Sequence, residues 1–240
     1  MLQRTMKKLA ILQSNYLPWK GFFDLIAGVD EVVIFDCVQY TKQDWRNRNQ
    51  IKTQSGLTWL TIPVKSGAHD RPIDEVEIAD TKAVRKHWNL IQNSYGKAPC
   101  FDSVKSIYQP ILQSAKAGQL LTHLNVELLK KTCDFLGINT AFSDSRDFEI
   151  VDDKNMRLIE ICRQAGANHY LVGPAAKSYI DEELFARHGI DVEWMDYDGY
   201  PEYEQSHPPF THYVSIVDLI AHTGVQAPNH MLRTRTELAQ

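Results

Sequence analysis

Three segments of this 240-residue chain concentrate side chains able to bind a ligand or react with one. The first is Gln13-Ser14-Asn15-Tyr16-Leu17-Pro18-Trp19-Lys20, which follows the apolar run Leu9-Ala10-Ile11-Leu12. Trp19, Phe22, Phe23, Ile26 and Ala27 then recur at helical spacing, so a helix starts here. A helix start presents unpaired N–H groups and a partial positive charge, which suit phosphate or carboxylate. Lys20 adds a full charge in the first turn. The same residues also fit a capped helix in which Asn15 satisfies backbone donors and Tyr16 and Trp19 pack into the core. The sequence leaves both readings open.

The second segment, Thr41 to Lys52, interleaves four cations (Lys42, Arg46, Arg48 and Lys52) with amides, Asn47 among them, and with Trp45. Arginine forms bidentate contacts with phosphate, and an indole stacks on a base or sugar. A solvated loop is the plainer account, but solubility poorly explains a tryptophan among polar neighbours. Asp36 and Gln39 follow a second apolar run, Val32-Val33-Ile34-Phe35, and are expected at the same sheet edge, where they would orient a hydroxyl or an amine. The third segment is the turn Val172-Gly173-Pro174, with Lys177 and Tyr179 beyond it. Gly173 would let a ligand approach the backbone closely, yet no full phosphate-loop pattern is present. Structural turn and ligand turn both fit.

Other chemistry finds less support. The nine histidines form no metal-ligand spacing, so no metal is expected. The cysteines Cys37, Cys100, Cys133 and Cys162 are far apart and fit reduced, partly buried thiols. No Gly-x-Ser-x-Gly elbow occurs.

The elements that must position these groups read as follows. Strand, helix and strand within about thirty residues make an opening βαβ unit whose strands are parallel. Their carboxyl ends then share the edge where ligands bind in open α/β sheets. Thr41 to Ser55 reads as a polar connection, Leu57 to Val64 as a strand and Ile73 to Ala79 as a half-exposed strand. Three helices follow: one through Val84, Trp88, Ile91 and Tyr95, a weaker one over Ser103–Ala115 interrupted by Pro110, and one through Leu121, Leu124, Leu128 and Phe135 ending at Gly137. The second half alternates again, with strands at 138–142, 169–172 and 192–195, helices at 154–165 and 175–188, and a short helix near 215–222. The expectation is an α/β fold: a mostly parallel, Rossmann-like sheet with flanking helices and a helical insertion in mid-chain. Residues 1–80 and 138–240 form the two parts of the core, and 81–137 a helical subdomain. Met231 to Gln240 reads as loosely held.

At 43% hydrophobic and 23% charged residues the composition is that of a soluble protein. A net charge of −4 argues against general nucleic-acid binding. No apolar run reaches membrane-spanning length, and Met1 to Lys8 leads straight into a strand. A cytoplasmic protein without membrane contact is the expectation.

The chain resembles the WbqC-like family. The residues that carry the likeness are Gln13, Asn15-Tyr16-Leu17-Pro18-Trp19, Gly21-Phe22-Phe23-Asp24, Asp36-Cys37-Val38-Gln39-Tyr40 and Trp45 through Lys52. Looser matches are Tyr170-Leu171-Val172-Gly173, Tyr179, Gly189-Ile190, Tyr203, Gln205 and Ser215 through Ile220. Members often sit among bacterial O-antigen genes, and transfer of glycine or a related aminoacyl group to an amino sugar has been proposed for them. A more distant similarity of fold is to nucleotidyltransferases with a His-x-Gly-His signature. Here Trp19-Lys20-Gly21-Phe22 stands in that place, with the glycine kept and both histidines absent.

The resemblance implies an enzyme attaching a small acyl or aminoacyl group to the amine of a nucleotide-linked sugar. Lys20, Arg46, Arg48 and Lys52 would hold phosphates and Trp45 would stack on base or sugar. Asp36 would take the amine's proton, with Tyr16 and Gln39 positioning the acceptor. Were the donor activated with ATP, Gly173 to Lys177 would supply a second phosphate contact. The alternative is a non-catalytic nucleotide- or sugar-phosphate-binding accessory protein. A single-stranded RNA contact through Trp45 is disfavoured by the acidic balance. The oligomeric state is not legible.

Overall fold

The structure, a computed structural model, describes residues 6–233. The expectations for Met1–Thr5 and for residues 234–240 lie outside it. Five strands form one parallel sheet: β1 (Lys8–Leu12), β2 (Glu31–Ile34), β5 (Ala141–Asp144), β6 (His169–Val172) and β7 (Asp191–Trp194), in the order β5-β2-β1-β6-β7. The chain winds outward from β1 through β2 to β5, then returns to the other side of β1 with β6 and β7. Winding direction therefore reverses between β1 and β6, the crevice where open α/β sheets bind ligands.

Both faces of the central strands β1 and β2 are largely buried, which explains why they read as continuous apolar runs, whereas the edge strands β5 and β7 are half-exposed and mixed. Ala10, Val32 and Ile34 face the larger core, with α1 (Lys20–Ala27), α2 (Thr81–Tyr95), α3 (Phe101–Ser114), α4 (Leu121–Leu136) and α7 (Ile216–Thr223). Leu9, Ile11, Val33 and Phe35 face the smaller core under α5 (Lys154–Gln164) and α6 (Glu182–Arg187). The mid-chain helices share a single apolar cluster with the sheet: Trp88, Tyr108 and Leu128 belong with Tyr16, Phe23 and Ile34.

Several expected elements differ. The later part of the presumed polar connection is strand β3 (Arg48–Thr53), which pairs antiparallel with β4 (Gly56–Thr61) as a separate hairpin. Its inward positions include Asn49 and Lys52, so the apolar alternation that marks a strand was missing. Residues 73–79 form a 3-10 turn and isolated bridges rather than a strand. Pro110 does not break α3, because Ser106, whose carbonyl loses its amide partner, is exposed and so is Pro110. The helix expected over 175–188 is a 3-10 turn at Pro174–Ser178 followed by the short α6. The described part of the C-terminal segment is held firmly. Met231 is fully buried, and the buried Asp24 carboxylate accepts the Leu232 and Arg233 N–H groups at 2.9 Å.

Candidate functional site

The chain leaving β1 turns sharply, with Leu17 in the left-handed region at φ 44°. Three neighbours fix that corner. The Asn49 side-chain amide donates to the Tyr16 and Leu17 carbonyls at 3.2 and 2.9 Å. The Tyr16 N–H donates to the Trp45 carbonyl at 2.9 Å, and the Ile216 N–H donates to the Pro18 carbonyl at 2.8 Å. Gln50 in turn accepts the Ser215 N–H through its main-chain oxygen at 2.8 Å. Corner, hairpin and α7 thus meet around a cleft of about 270 Å³, lined by Asn15, Pro18, Trp19, Phe22, Trp45, Asn49, Gln50 and Tyr213. Four aromatic rings and three carboxamides line it, with no charged side chain. Trp45 is 49% and Tyr213 77% exposed, and the Trp19 and Tyr213 rings stack at 6.1 Å.

The cleft therefore brings together Asn15, Trp19 and Trp45 from two sequence-predicted segments. Of the cations expected beside them, Lys20 and Lys52 are directed elsewhere, and neither Arg46 nor Arg48 lines the cleft. Lys20 is buried, donates to the Pro201 and His230 carbonyls at 3.3 and 3.1 Å, and lies 4.5 Å from the Tyr200 ring. Burial lowers its pKa to about 8 despite the nearby Asp24. Lys52 is buried too and donates to Gln205 Oε1 at 2.6 Å and to the Pro209 carbonyl. Arg46 donates to Asn15 Oδ1 and pairs with Asp44 at 3.5 Å, while Arg48 lies over the Trp59 ring at 4.2 Å. The expected phosphate clamp is not assembled at this cleft.

The proposed acid–base groups are also committed. Asp36 is buried; its Oδ1 accepts the Ser14 N–H at 2.8 Å and its Oδ2 accepts the Thr122 hydroxyl at 2.6 Å. Both carboxylate oxygens thus lie inside the core, one on the corner and one on α4. Tyr16 is fully buried, its hydroxyl 3.0 Å from His87 Nδ1, and desolvation raises its pKa strongly. Gln39 is exposed and donates to the His69 carbonyl, away from the cleft. Asn47 is buried and donates to the Ile62 carbonyl. Gln13 is half-buried at the end of β1 and lines no part of the cleft.

The third segment does not join. Lys177 lies 5.5 Å from the Trp194 ring, Tyr179 accepts through its carbonyl from Asn155, and Ala176 packs in the smaller core. A Cβ on Gly173 would meet the Tyr197 hydroxyl at an ordinary 3.5 Å. Gly21 serves packing. A Cβ there would overlap the Trp19 ring, with Cε2 at 2.7 Å, so the missing side chain makes room for that indole rather than for a phosphate.

Sequence reasoning missed Phe22, Asn49, Gln50 and Tyr213. Phe22 enters the sequence reading through helix periodicity and family likeness rather than as a lining residue, and the two amides lie on a strand without an apolar pattern. Tyr213 comes from a distant segment with no motif. Among the described residues no helix is long and apolar enough to cross a membrane, and no three His, Cys, Asp or Glu side chains converge on a metal position. The four cysteines are free, and burial pushes the Cys133 and Cys162 thiols up to about 12.

The WbqC-like family model matches residues 13–230. The chain belongs to the WbqC-like protein family. The match starts at the cleft corner and runs past Tyr213, so it spans every lining residue. The uncharacterized protein Rv1507c of Mycobacterium tuberculosis is 45% identical over 227 residues, which cover 94% of this chain and 98% of that protein. No solved structure matches the chain, so the nucleotidyltransferase likeness gains no support there.

Proposed function

We propose that this WbqC-like protein is a transferase that attaches a small acyl or aminoacyl group to an amino sugar, and that the cleft beyond β1 holds the sugar ring. The lining carries this reading. Aromatic faces stack on the apolar C–H face of a pyranose, and the Gln50 carboxamide and Asn15 Nδ2 can hydrogen-bond its hydroxyls without demanding a charge, Asn49 being committed to the corner. A cleft of about 270 Å³ suits one ring. Since no cation lines it, a nucleotide or phosphate attached to the sugar would lie outside the cleft. Arg48 over Trp59, whose ring lies 5.8 Å from that of Trp45, is an aromatic-supported cation that would meet it there.

A non-catalytic sugar-binding role is the second reading. The internal hydrogen bonds of Asp36 favour it, because they leave no carboxylate base facing the cleft. Titration of intrinsic fluorescence with amino sugars and their nucleotide-linked forms tests the shared claim, since Trp19 and Trp45 line the cleft. Saturable quenching is expected; no response at millimolar sugar would overturn both readings. Mass spectrometry of amino sugar incubated with an acyl thioester or with ATP and glycine separates them, an amide product being expected from the transferase alone.

A further inference from the structure

The segment beyond Tyr200 and helix α7 bring together a serine, a histidine and an aspartate that the cleft does not use. Ser206 Oγ lies 2.8 Å from His222 Nε2, and the Ser206 main-chain N–H donates to the same nitrogen at 3.0 Å. Across the ring, Nδ1 is 2.7 Å from the Asp218 main-chain oxygen, one helical turn back, and 3.6 Å from Asp218 Oδ1. A carbonyl oxygen can only accept, so Nδ1 carries the proton, and the single Nε2 lone pair is shared between the Ser206 N–H and the Ser206 hydroxyl. This is the tautomer a general base requires.

The surroundings fix the ring. The His222 side chain is only 5% exposed, with the Tyr95 and Tyr203 rings 5.9 and 6.0 Å away. The Asp218 carboxylate is buried and accepts from the Tyr95 hydroxyl at 2.9 Å, the Tyr203 hydroxyl at 2.7 Å and Gln205 Nε2 at 2.7 Å. Its charge, beside Nδ1, would stabilise an imidazolium as it forms. Ser206 itself is half-buried, on a segment between two elements. Its neighbour Gln205 accepts from Lys52 on β3, the strand that carries Gln50 into the cleft two residues earlier.

We propose that Ser206 is a nucleophile activated by His222, with Asp218 as its positioning residue, and that it accepts an acyl group from a thioester or activated ester. Oγ bonds to the acyl carbon while Nε2 takes the hydroxyl proton. The carbon–sulfur or carbon–oxygen bond then breaks, and the departing thiol or alcohol leaves with that proton. This gives an acyl ester on Ser206. Transfer onward rests on the sugar-binding reading of the cleft. A sugar amine attacks the ester, its proton passes to Nε2 and from there to Oγ, and the amide leaves with the serine regenerated.

The first half-reaction is tested alone, on the full chain, with p-nitrophenyl acetate and with a fluorophosphonate probe, read by intact mass and peptide mapping. One adduct per chain at Ser206 is expected, absent in Ser206→Ala and restored as a thioester in Ser206→Cys with the acetate. Replacement of His222 by Asn is expected to slow labelling by about 10²–10⁴-fold. Circular dichroism melts check that the variants fold. Labelling elsewhere, or none on folded wild-type protein, overturns the proposal, whatever the sugar titration gives. Ser206 labelling without sugar binding instead leaves the nucleophile standing and removes the acceptor cleft.

Discussion

The Tyr16 N–H donates to the Trp45 carbonyl at 2.9 Å, so one main-chain bond ties the turn after the first strand to the basic segment some thirty residues later. The bond uses no side-chain atom. It fixes where the Trp45 indole emerges while leaving the ring half-exposed beside Trp19, Phe22 and Tyr213. Scaffold and ligand surface are therefore separable at this position.

Trp45→Ala should remove the stacking surface and spare the fold. Sugar affinity is expected to fall about tenfold, near 1.4 kcal/mol, in isothermal titration. The melting temperature should shift by no more than a few degrees, because an exposed ring away from the core contributes little to stability. A large loss of stability with unchanged affinity would contradict this account of Trp45.

Gly21→Ala tests the room made for Trp19. The added methyl would overlap the indole, so the ring must swing away from Gly21 and out of its packing against Tyr197 and Tyr200. Overpacking of this kind costs about 1–3 kcal/mol. Loss of stability by chemical denaturation is expected together with weaker sugar binding, since Trp19 is a wall of the cleft.

Asp36→Asn keeps one acceptor for the Ser14 N–H and places an amide against the Thr122 hydroxyl, which can rotate to accept. A loss of about 1–2 kcal/mol is expected. Asp36→Ala leaves both donors buried and unpaired, and should cost more. If Asp36 positions the corner and does not take a proton, turnover by the folded Asn variant should stay within about tenfold of wild type. A loss on the scale of a removed general base, about 10²–10⁴-fold, would return Asp36 to the chemistry.

His87 should make stability depend on mild acid. Desolvation lowers its pKa from 6.5 to about 4, although a hydrogen bond with the Thr61 backbone opposes the shift. Between pH 6.5 and about 4 the unfolded chain binds the proton and the folded chain does not, so stability falls as pH falls through this window. The full difference corresponds to about 3 kcal/mol. In urea titrations across that range, His87→Gln should be less stable at pH 7, where its contact with Tyr16 is altered, but should lose correspondingly less on acidification than wild type.

Much of the architecture was written in local pattern. The runs Leu9–Leu12, Val32–Phe35 and Tyr170–Val172 are largely buried and apolar throughout, which marks them as parallel strands. Helical spacing through Val84, Trp88, Ile91 and Tyr95 marked α2 for the same reason, burial of one face. The meeting of Asn15, Trp19 and Trp45 was also foreseeable, because a βαβ unit carries its strand ends to one edge. What the sequence alone could not determine was the direction of each long side chain. Lys20 and Lys52 look like ligand cations until the fold folds main-chain carbonyls of Pro201, His230 and Pro209 over them. Tyr213 becomes a cleft wall, and Ser206 meets His222, only because the segment after β7 crosses β3 and α7. Such contacts join residues far apart in the chain, and only tertiary packing, which has no local period, sets them.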